Sequence, residues 1–301
     1  MSRVAVFGEM LVDRFDSGPV VGGAPFNVAR HLAAFGEVPL MIGAVGDDAD
    51  AARIGAELER FRMRRDGIQV VPGRATGAVD VKTRPDGTHE FSIQRDCAWD
   101  LIAEQPARVA LQALASDGWL YGGTLALRSP ASRTTGLALL DAHPGRKFLD
   151  LNWREGHVDV GTALEAVRRV DVLKVNDEEL AMLCGWLGAE RLRDDTAGQA
   201  AAVLTRLDLE MLLVTCGPAG SLAFGRGGAC IARARSDRPL RIVDTVGAGD
   251  AFAAVALTGL LRGWVPATML ARADEFAGHV CEIRGAVPAD LSAYRAWSAS
   301  W

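Results

Sequence analysis

The chain has 301 residues, 49% of them hydrophobic, and a net charge of −5; this is enough apolar residue for one large core, and the charge gives no chain-wide attraction to nucleic acid or an anionic membrane. The five cysteines, at 97, 184, 216, 230 and 281, are odd in number and lack C-x-x-C spacing, and the five histidines are dispersed, which argues against a disulfide framework or metal centre and for mostly buried thiols in a reducing cytoplasm. The N-terminus does not read as a signal peptide and no uncharged apolar run is long enough to span a membrane, so the expected location is cytoplasmic.

In chain order, "RVAVFGEMLVD" opens as a buried strand, and "FNVARHLAAFG" reads as an amphipathic helix closed by Gly36. "PLMIGAVGDD" is a second strand, followed by the helix "ADAARIGAELERF". The segment "TGAVDVKTRPDGTHEFSI" breaks this rhythm. It alternates apolar and polar residues (Val79 and Val81, then Phe91 and Ile93) around the turn signal "RPDG", the pattern of a hairpin with one covered face. The strands "WLYGG", "RKFLDLN", "DVLKVN" and "MLLVTCG" then alternate with helical patterns near 104–115, 131–141, 161–169, 177–184 and 197–207. Short apolar strands alternating with helices predict an α/β fold whose mostly parallel sheet is covered on both faces. Such sheets bind ligands at the carboxyl ends of their strands, which here carry Asp150, Asn152, Asn176 and Thr215. With no repeat and no long linker, residues 1–301 read as one domain. The hairpin at about 76–93, with a further strand from about 12–21, is expected to form a small β lid over the strand ends.

Near the C-terminus "DTVGAGD" precedes the apolar helical run "AFAAVALTGLLRG". Gly247-Ala248-Gly249 before an Asp suits an ordinary turn and helix start. It equally suits an anion site, because backbone N–H groups at a helix N-terminus bind oxyanions and absent side chains let them approach. A carboxylate directly after that site does not itself bind phosphate, but it can take a proton from a hydroxyl attacking one. No G-x-x-x-x-G-K-[ST] and no G-x-G-x-x-G after the first strand occurs, which speaks against P-loop and dinucleotide-binding readings.

"DTVGAGDAF" resembles the C-terminal signature of the PfkB (ribokinase-like) family of carbohydrate kinases. "VVGGAPFNVARHLAAFG" resembles its N-terminal signature, "LDLNWR" its D-x-N-x-R strand end, "KVNDEEL" its N-x-x-E element and "VTCGPAGS" its T-x-G-x-x-G nucleotide loop. "RGAVPA" resembles its R-G-A-x-x-x-P stretch with Pro288 one place early, and together the motifs run in family order from about residue 4 to 288. Within the family, "GGAPFNVA" is more similar to bacterial fructokinases than to ribokinases.

The resemblance implies a ribokinase-like fold and an ATP- and Mg²⁺-dependent kinase acting on a free monosaccharide, fructose first. It implies Asp250 as general base, with the amides of Gly247, Ala248 and Gly249 stabilising the transferred phosphoryl. Asp13, Gly22, Gly23 and Asn27 would hold the sugar. Asn176 and Glu179 would set Mg²⁺ through water, Lys174 and Arg154 would neutralise phosphate charge or bind a neighbouring carboxylate, and Thr215, Gly217 and Gly220 would face ATP. A need for K⁺ is left open, as is another acceptor: ribose, 2-keto-3-deoxygluconate or a nucleoside. A non-catalytic sugar or nucleotide sensor fits less well, since it has no use for Asp250. Two departures stand out: Asp274 replaces an Asn that many members carry near adenine, and Trp153 has no assigned role. The apolar face of the lid could also pair with a second copy as a homodimer.

Overall fold

Residues 2–83, 89–192, 195–236 and 238–301 are described by the structure, a computed structural model. Strand β1 (Ser2–Phe7) is buried at every residue except Arg3. Val4 and Val6 enter the hydrophobic cluster on one face of the sheet, and Ala5 and Phe7 enter the cluster on the other. A strand covered on both faces has no use for polar alternation. The chain continues through β2 (Leu11–Phe15), β3 (Gly18–Gly22), α1 (Ala24–Ala34), β4 (Pro39–Val45), α2 (Ala49–Arg60), β5 (Ile68–Val70), β6 (Ala78–Thr83) and β7 (His89–Ile93). The middle third holds α3 (Glu104–Leu111), β8 (Leu114–Gly123), α4 (Pro130–Ala142), β9 (Arg146–Asp150), α5 (Val160–Val167), β10 (Val172–Asn176), α6 (Asp177–Trp186) and α7 (Thr196–Leu207). The last third holds β11 (Met211–Thr215), β12 (Ser221–Gly225), β13 (Cys230–Ala234), α8 (Ala248–Arg262), α9 (Pro266–Cys281) and α10 (Ser292–Ala299).

Nine strands form the main sheet in the order β13-β12-β11-β10-β9-β8-β1-β4-β5. All neighbours from β11 to β5 are parallel, and β12 and β13 add an antiparallel edge. Helices α3 to α7 pack on one face, around Leu139, Ala163, Leu180 and Val203, while α1, α2, α8, α9 and α10 cover the other, around Phe26, Phe252, Phe276 and Tyr294. This is the doubly covered α/β arrangement that the strand–helix alternation predicts. The two antiparallel edge strands were not legible in the sequence, because "SLAFGRGGACIARA" mixes apolar with exposed polar residues. Among the described residues no helix is long and apolar enough to cross a membrane.

A separate sheet, β3-β2-β6-β7, stands apart from the main one. Its segment near 12–21 is two antiparallel strands rather than one, and β2 runs parallel to β6. Leu11, Val79 and Val81 bury the predicted apolar face, with Phe15 and Ile93 against it. The expected turn at 84–87 and the side chain of Phe91 lie outside the described residues.

Two expectations need correction. Helix α1 is not amphipathic in place: Pro25 through Leu32 are all buried, including Asn27, Arg30 and His31. It lies between β1, β4 and β8 of the main sheet and α8, so its polar side chains must find protein partners instead of water. The thiols are not mostly buried either. Only Cys97 and Cys184 are; Cys216 and Cys281 are intermediate, and Cys230 is exposed on the edge strand β13.

The last helix closes the α1 side. His31 Nδ1 lies 2.8 Å from the Tyr294 hydroxyl and its Nε2 lies 3.0 Å from the Ala286 carbonyl. Phe276 packs edge-on against Phe35, His31 and Trp297. Phe276→Ala should therefore cost about 3–5 kcal/mol of stability, the usual range for emptying a buried aromatic site. Denaturant unfolding checks it: the midpoint should fall at unchanged slope.

Candidate active site

Because β8 to β11 are parallel, their carboxyl ends share one edge of the sheet. The register sets Gly123 beside Asp150, Asp150 beside Lys174, and Asn176 beside Thr215. Lys174 Nζ donates to Asp150 Oδ2 at 2.8 Å, with both side chains buried. Asp150 Oδ1 is also buried and has no hydrogen-bond partner. The ammonium of Lys174 lies next to the start of α8, since a Cβ on Gly249 would stand 3.5 Å from it.

The turn into α8 is tightly determined. Gly247 has φ +82°, and a Cβ there would stand 2.5 Å from the Ala286 Cα, so only glycine fits. Asp244 pins the approach by accepting from Val246 N–H at 3.0 Å and Gly285 N–H at 3.1 Å. The Ala248 N–H turns back to the Thr245 carbonyl at a long 3.3 Å, while Gly249 and Asp250 supply first-turn amides that have no carbonyl within the helix. Asp250 is 9% exposed, and Asn27 donates its Nδ2 to Asp250 Oδ2 at 2.7 Å. Burial raises the Asp250 pKa to about 6; the Asn27 bond opposes this, the Asp150 charge adds to it, and Lys174 and Arg154 oppose it again.

Asp13, on β2, is also raised to about 6, by burial and then by the Asp250 charge, against the opposing Arg30 and Arg154. Its carboxylate lies against Gly22, where a Cβ would stand 2.3 Å from Asp13 Oδ2. Gly23 has φ +102°, and a Cβ there would stand 2.6 Å from the Glu9 carbonyl oxygen. Thus Asp13, Gly22, Gly23, Asn27 and Asp250 converge at one place.

The sequence reading missed a sixth member. Glu9 lies two positions beyond the end of β1, is 2% exposed, and leaves its Oε2 without a partner. Burial raises its pKa to about 7, and Asp250 adds to this while backbone N–H groups and Arg154 pull it down. An acidic residue just beyond the apolar run Val4–Phe7 was the available signal. Arg154 is exposed, and its charge acts on Glu9, Asp13 and Asp250 alike.

Asn176 and Glu179 meet as a capping box on α6. Asn176 Oδ1 accepts from the Glu179 N–H at 2.7 Å, and Glu179 Oε2 accepts from the Asn176 N–H at 2.8 Å. The other Glu179 oxygen accepts from the Trp153 N–H at 2.7 Å. Trp153 itself packs edge-on against Trp186, with centroids 4.7 Å apart. Burial, then the Asp150 charge, raises the Glu179 pKa. Among the described residues no group of three or more His, Cys, Asp or Glu is arranged to hold a metal directly.

Beyond β11, Thr215 leads into a short turn in which the Cys216 N–H donates to the Gly220 carbonyl at 2.8 Å. Gly217 and Gly220 both have positive φ, and a Cβ at Gly220 would stand 2.1 Å from the Ala234 carbonyl. Asp274 accepts from Ser221 Oγ at 2.9 Å, which places it next to this turn.

A buried carboxylate at a glycine-opened helix start, near a second, partly buried carboxylate and a close-packed glycine pair, agrees with a family model for pfkB family carbohydrate kinases that matches residues 7–292. The chain belongs to that family. This sugar kinase is 31% identical to a fructokinase of Klebsiella pneumoniae over 289 residues, covering 91% of this chain and 90% of that enzyme. It is 29% identical to a fructokinase of Salmonella typhimurium, over 90% of this chain and 88% of that one. Its fold matches the crystal structure of the Xylella fastidiosa fructokinase with bound ATP (TM-score 0.84, 21% identity, 100% and 99% of the two chains). It also matches a double mutant of the Vibrio cholerae O395 fructokinase crystallised with fructose, ADP and potassium ion (TM-score 0.80, 23% identity, 99% and 98%).

The raised carboxyl groups give this kinase a testable linkage. Burial moves the Glu9 carboxyl from its ordinary 4.5 to about 7 in the folded chain. The stability of its neutral form is therefore fully present below the unfolded value and lost as pH rises through the folded one. Glu9→Gln removes that dependence. Unfolding at pH 5 and pH 8 should show the variant gaining about 2–3 kcal/mol relative to wild type at the higher pH. An equal difference at both pH values would refute it.

Proposed function

We propose that the protein transfers the γ-phosphoryl of ATP to a hydroxyl of a neutral monosaccharide, fructose, with Asp250 as the general base. The single observation that carries this is the placement of Asp250: buried, ionisable near pH 6, bonded by Asn27, and in the first turn of α8. The base takes the hydroxyl proton, the freed oxygen forms a bond to the γ-phosphorus, and the bond from that phosphorus to the bridging oxygen breaks to release ADP. Charge growing on the transferred group meets the amides at the α8 N-terminus, and its helix dipole favours it. A closely approaching phosphoryl oxygen would compete for the Ala248 N–H now held at 3.3 Å by Thr245. Lys174 stands beside the same turn with its charge partly balanced by Asp150.

On this reading Asp13, Asn27 and the Gly22-Gly23 backbone hold the sugar, and Thr215, Gly217 and Gly220 face the nucleotide. The fructokinase relatives support the acceptor, and the ATP- and ADP-bound structural neighbours support the donor. The residues near Glu179 fit a hydrated Mg²⁺. Both Glu179 oxygens already accept backbone N–H groups, so contact through water suits them, and the buried Asp150 Oδ1 has no other partner. When bound there, the ion would neutralise phosphate charge. The small sheet, whose β2 and β3 carry Asp13 and Gly22, acts as a lid that excludes water during transfer.

Asp250→Asn should fold normally and lose about 10²–10⁴-fold in kcat, the usual contribution of a positioned base. Near-wild-type turnover in the purified variant would sink the assignment. A panel of fructose, ribose, glucose, 2-keto-3-deoxygluconate and nucleosides should give fructose the highest kcat/KM. A site that hydrogen-bonds particular hydroxyls rejects analogues lacking them by large factors, so another acceptor exceeding fructose tenfold would replace the substrate while keeping the kinase.

A further inference from the structure

We propose that Arg30 is a positioning residue for Asp250, acting through the side-chain amide of Asn27; this rests on the reading of Asp250 as the base. Arg30 is 4% exposed, on the helix that the sequence predicts to be amphipathic. A buried guanidinium is costly unless its donors are used; here Nε is buried without a partner, and the two terminal nitrogens are used in a directed way. One terminal nitrogen, Nη2, donates to Asn27 Oδ1 at 2.5 Å and to the Val21 carbonyl of β3 at 2.9 Å. The other, Nη1, donates to Glu57 Oε2 on α2 at 2.8 Å. The guanidinium also lies 5.0 Å from the Phe26 ring centroid.

The chemistry of the three groups decides the orientation. A guanidinium has only donors and an ionised carboxylate only acceptors, whereas a primary amide has one of each at its two ends. Set between Arg30 and Asp250, the Asn27 amide has one favourable arrangement: oxygen to the arginine, nitrogen to the aspartate. The reverse sets oxygen against carboxylate and nitrogen against guanidinium. Arg30 thereby keeps a donor on Asp250 Oδ2 and leaves Oδ1 to face the acceptor hydroxyl. Glu57 anchors the arginine from the far side; bonds from Arg30 and Arg60 keep its pKa low despite burial.

Arg30→Met should therefore let the amide turn or drift. The bond that favours ionised Asp250 weakens, its pKa rises, and the acid limb of the kcat profile moves to higher pH. The other groups acting on Asp250 stay in place: Asp150 on β9, Lys174 on β10, Arg154 in the loop after β9, Asp13 on β2, Glu9 after β1, and the Tyr121 hydroxyl on β8.

The test reads Asp250 directly, without turnover, by carboxyl ¹³C titration, its signal assigned by its loss in Asp250→Asn. In Arg30→Met the midpoint should rise by roughly half to one unit. With fructose and ATP, kcat should fall roughly tenfold with the ATP KM unchanged, and Arg30→Met added to Asn27→Ala should cost no more than Asn27→Ala alone. Arg30→Lys, which keeps a cation within reach of Asn27, should restore part of the loss. A folded Arg30→Met with an unmoved Asp250 midpoint, or additive losses in the double variant, overturns the proposal. The unsubstituted protein gives a reading that does not depend on the variant folding: the Asn27 side-chain amide signal should shift with the Asp250 midpoint, and an amide blind to that titration also overturns it. If no sugar on the panel is phosphorylated, the kinase reading fails, while the two titrations still decide whether Arg30 holds Asp250.

Discussion

One hydrogen bond, from Asn27 on α1 to Asp250 on α8, joins residues 223 positions apart. Around it, burial and ionisation are in tension. A carboxylate removed from water is strongly destabilised unless it is bonded or paired. Asp250 has the Asn27 amide, the first turn of its own helix and the nearby Lys174 and Arg154 charges, and its pKa still rises to about 6. That compromise suits a base at neutral pH: mostly ionised, yet far more basic than an aspartate in water. Much else in the fold serves to hold these two helices at this separation. Helix α8 can lie deep in the protein because "AFAAVALTGLL" is apolar all round, and α1 can because each of its polar side chains has a protein partner.

The parallel sheet does the rest of the assembly. Parallel neighbours bring the ends of β9, β10 and β11 to one edge, so Asp150, Lys174, Asn176 and Thr215 become neighbours although the chain separates them by whole helices. The small sheet supplies the opposite wall, with Asp13 pressed against Gly22. The acidic groups collected there, Glu9, Asp13, Asp150 and Asp250, are balanced by very few cations, and those cations are shared. Arg154 alone lowers the pKa of three of them.

Much of this was legible in the sequence, and the failures have physical causes. Buried parallel strands such as "RVAVF" and "MLLVT" announce themselves because nothing polar interrupts them. The start of α8 was legible because Gly247, Ala248, Gly249 and Asp250 lie consecutively, so local chemistry shows without tertiary knowledge. Helix α1 misled because Asn27, Arg30 and His31 look like a solvated face. Whether such residues meet water or one another depends on α8 and α10, more than two hundred residues away. Glu9 was passed over as part of a strand's exit, since one acidic residue in an apolar context is ambiguous until its neighbours are known. The antiparallel strands β12 and β13 carry a weak pattern because the outer one, β13, is half solvated and can hold Arg233 and the free thiol of Cys230.

The clasp between His31 and Tyr294 has a consequence for when the enzyme comes into being. Tyr294 is made 263 positions after His31, and burial holds the imidazole neutral, with its pKa near 3, between that hydroxyl and the Ala286 carbonyl. During synthesis the first strands and helices emerge with no cover for one side of α1, and the chain must hold that polar-studded helix in an unfinished form until α8 and α10 arrive. Contacts this distant in sequence are slow to form and keep apolar surface exposed meanwhile. Helix α10, far from the chemistry, therefore acts as a latch on α1 that can close only after 263 further positions of chain have been made.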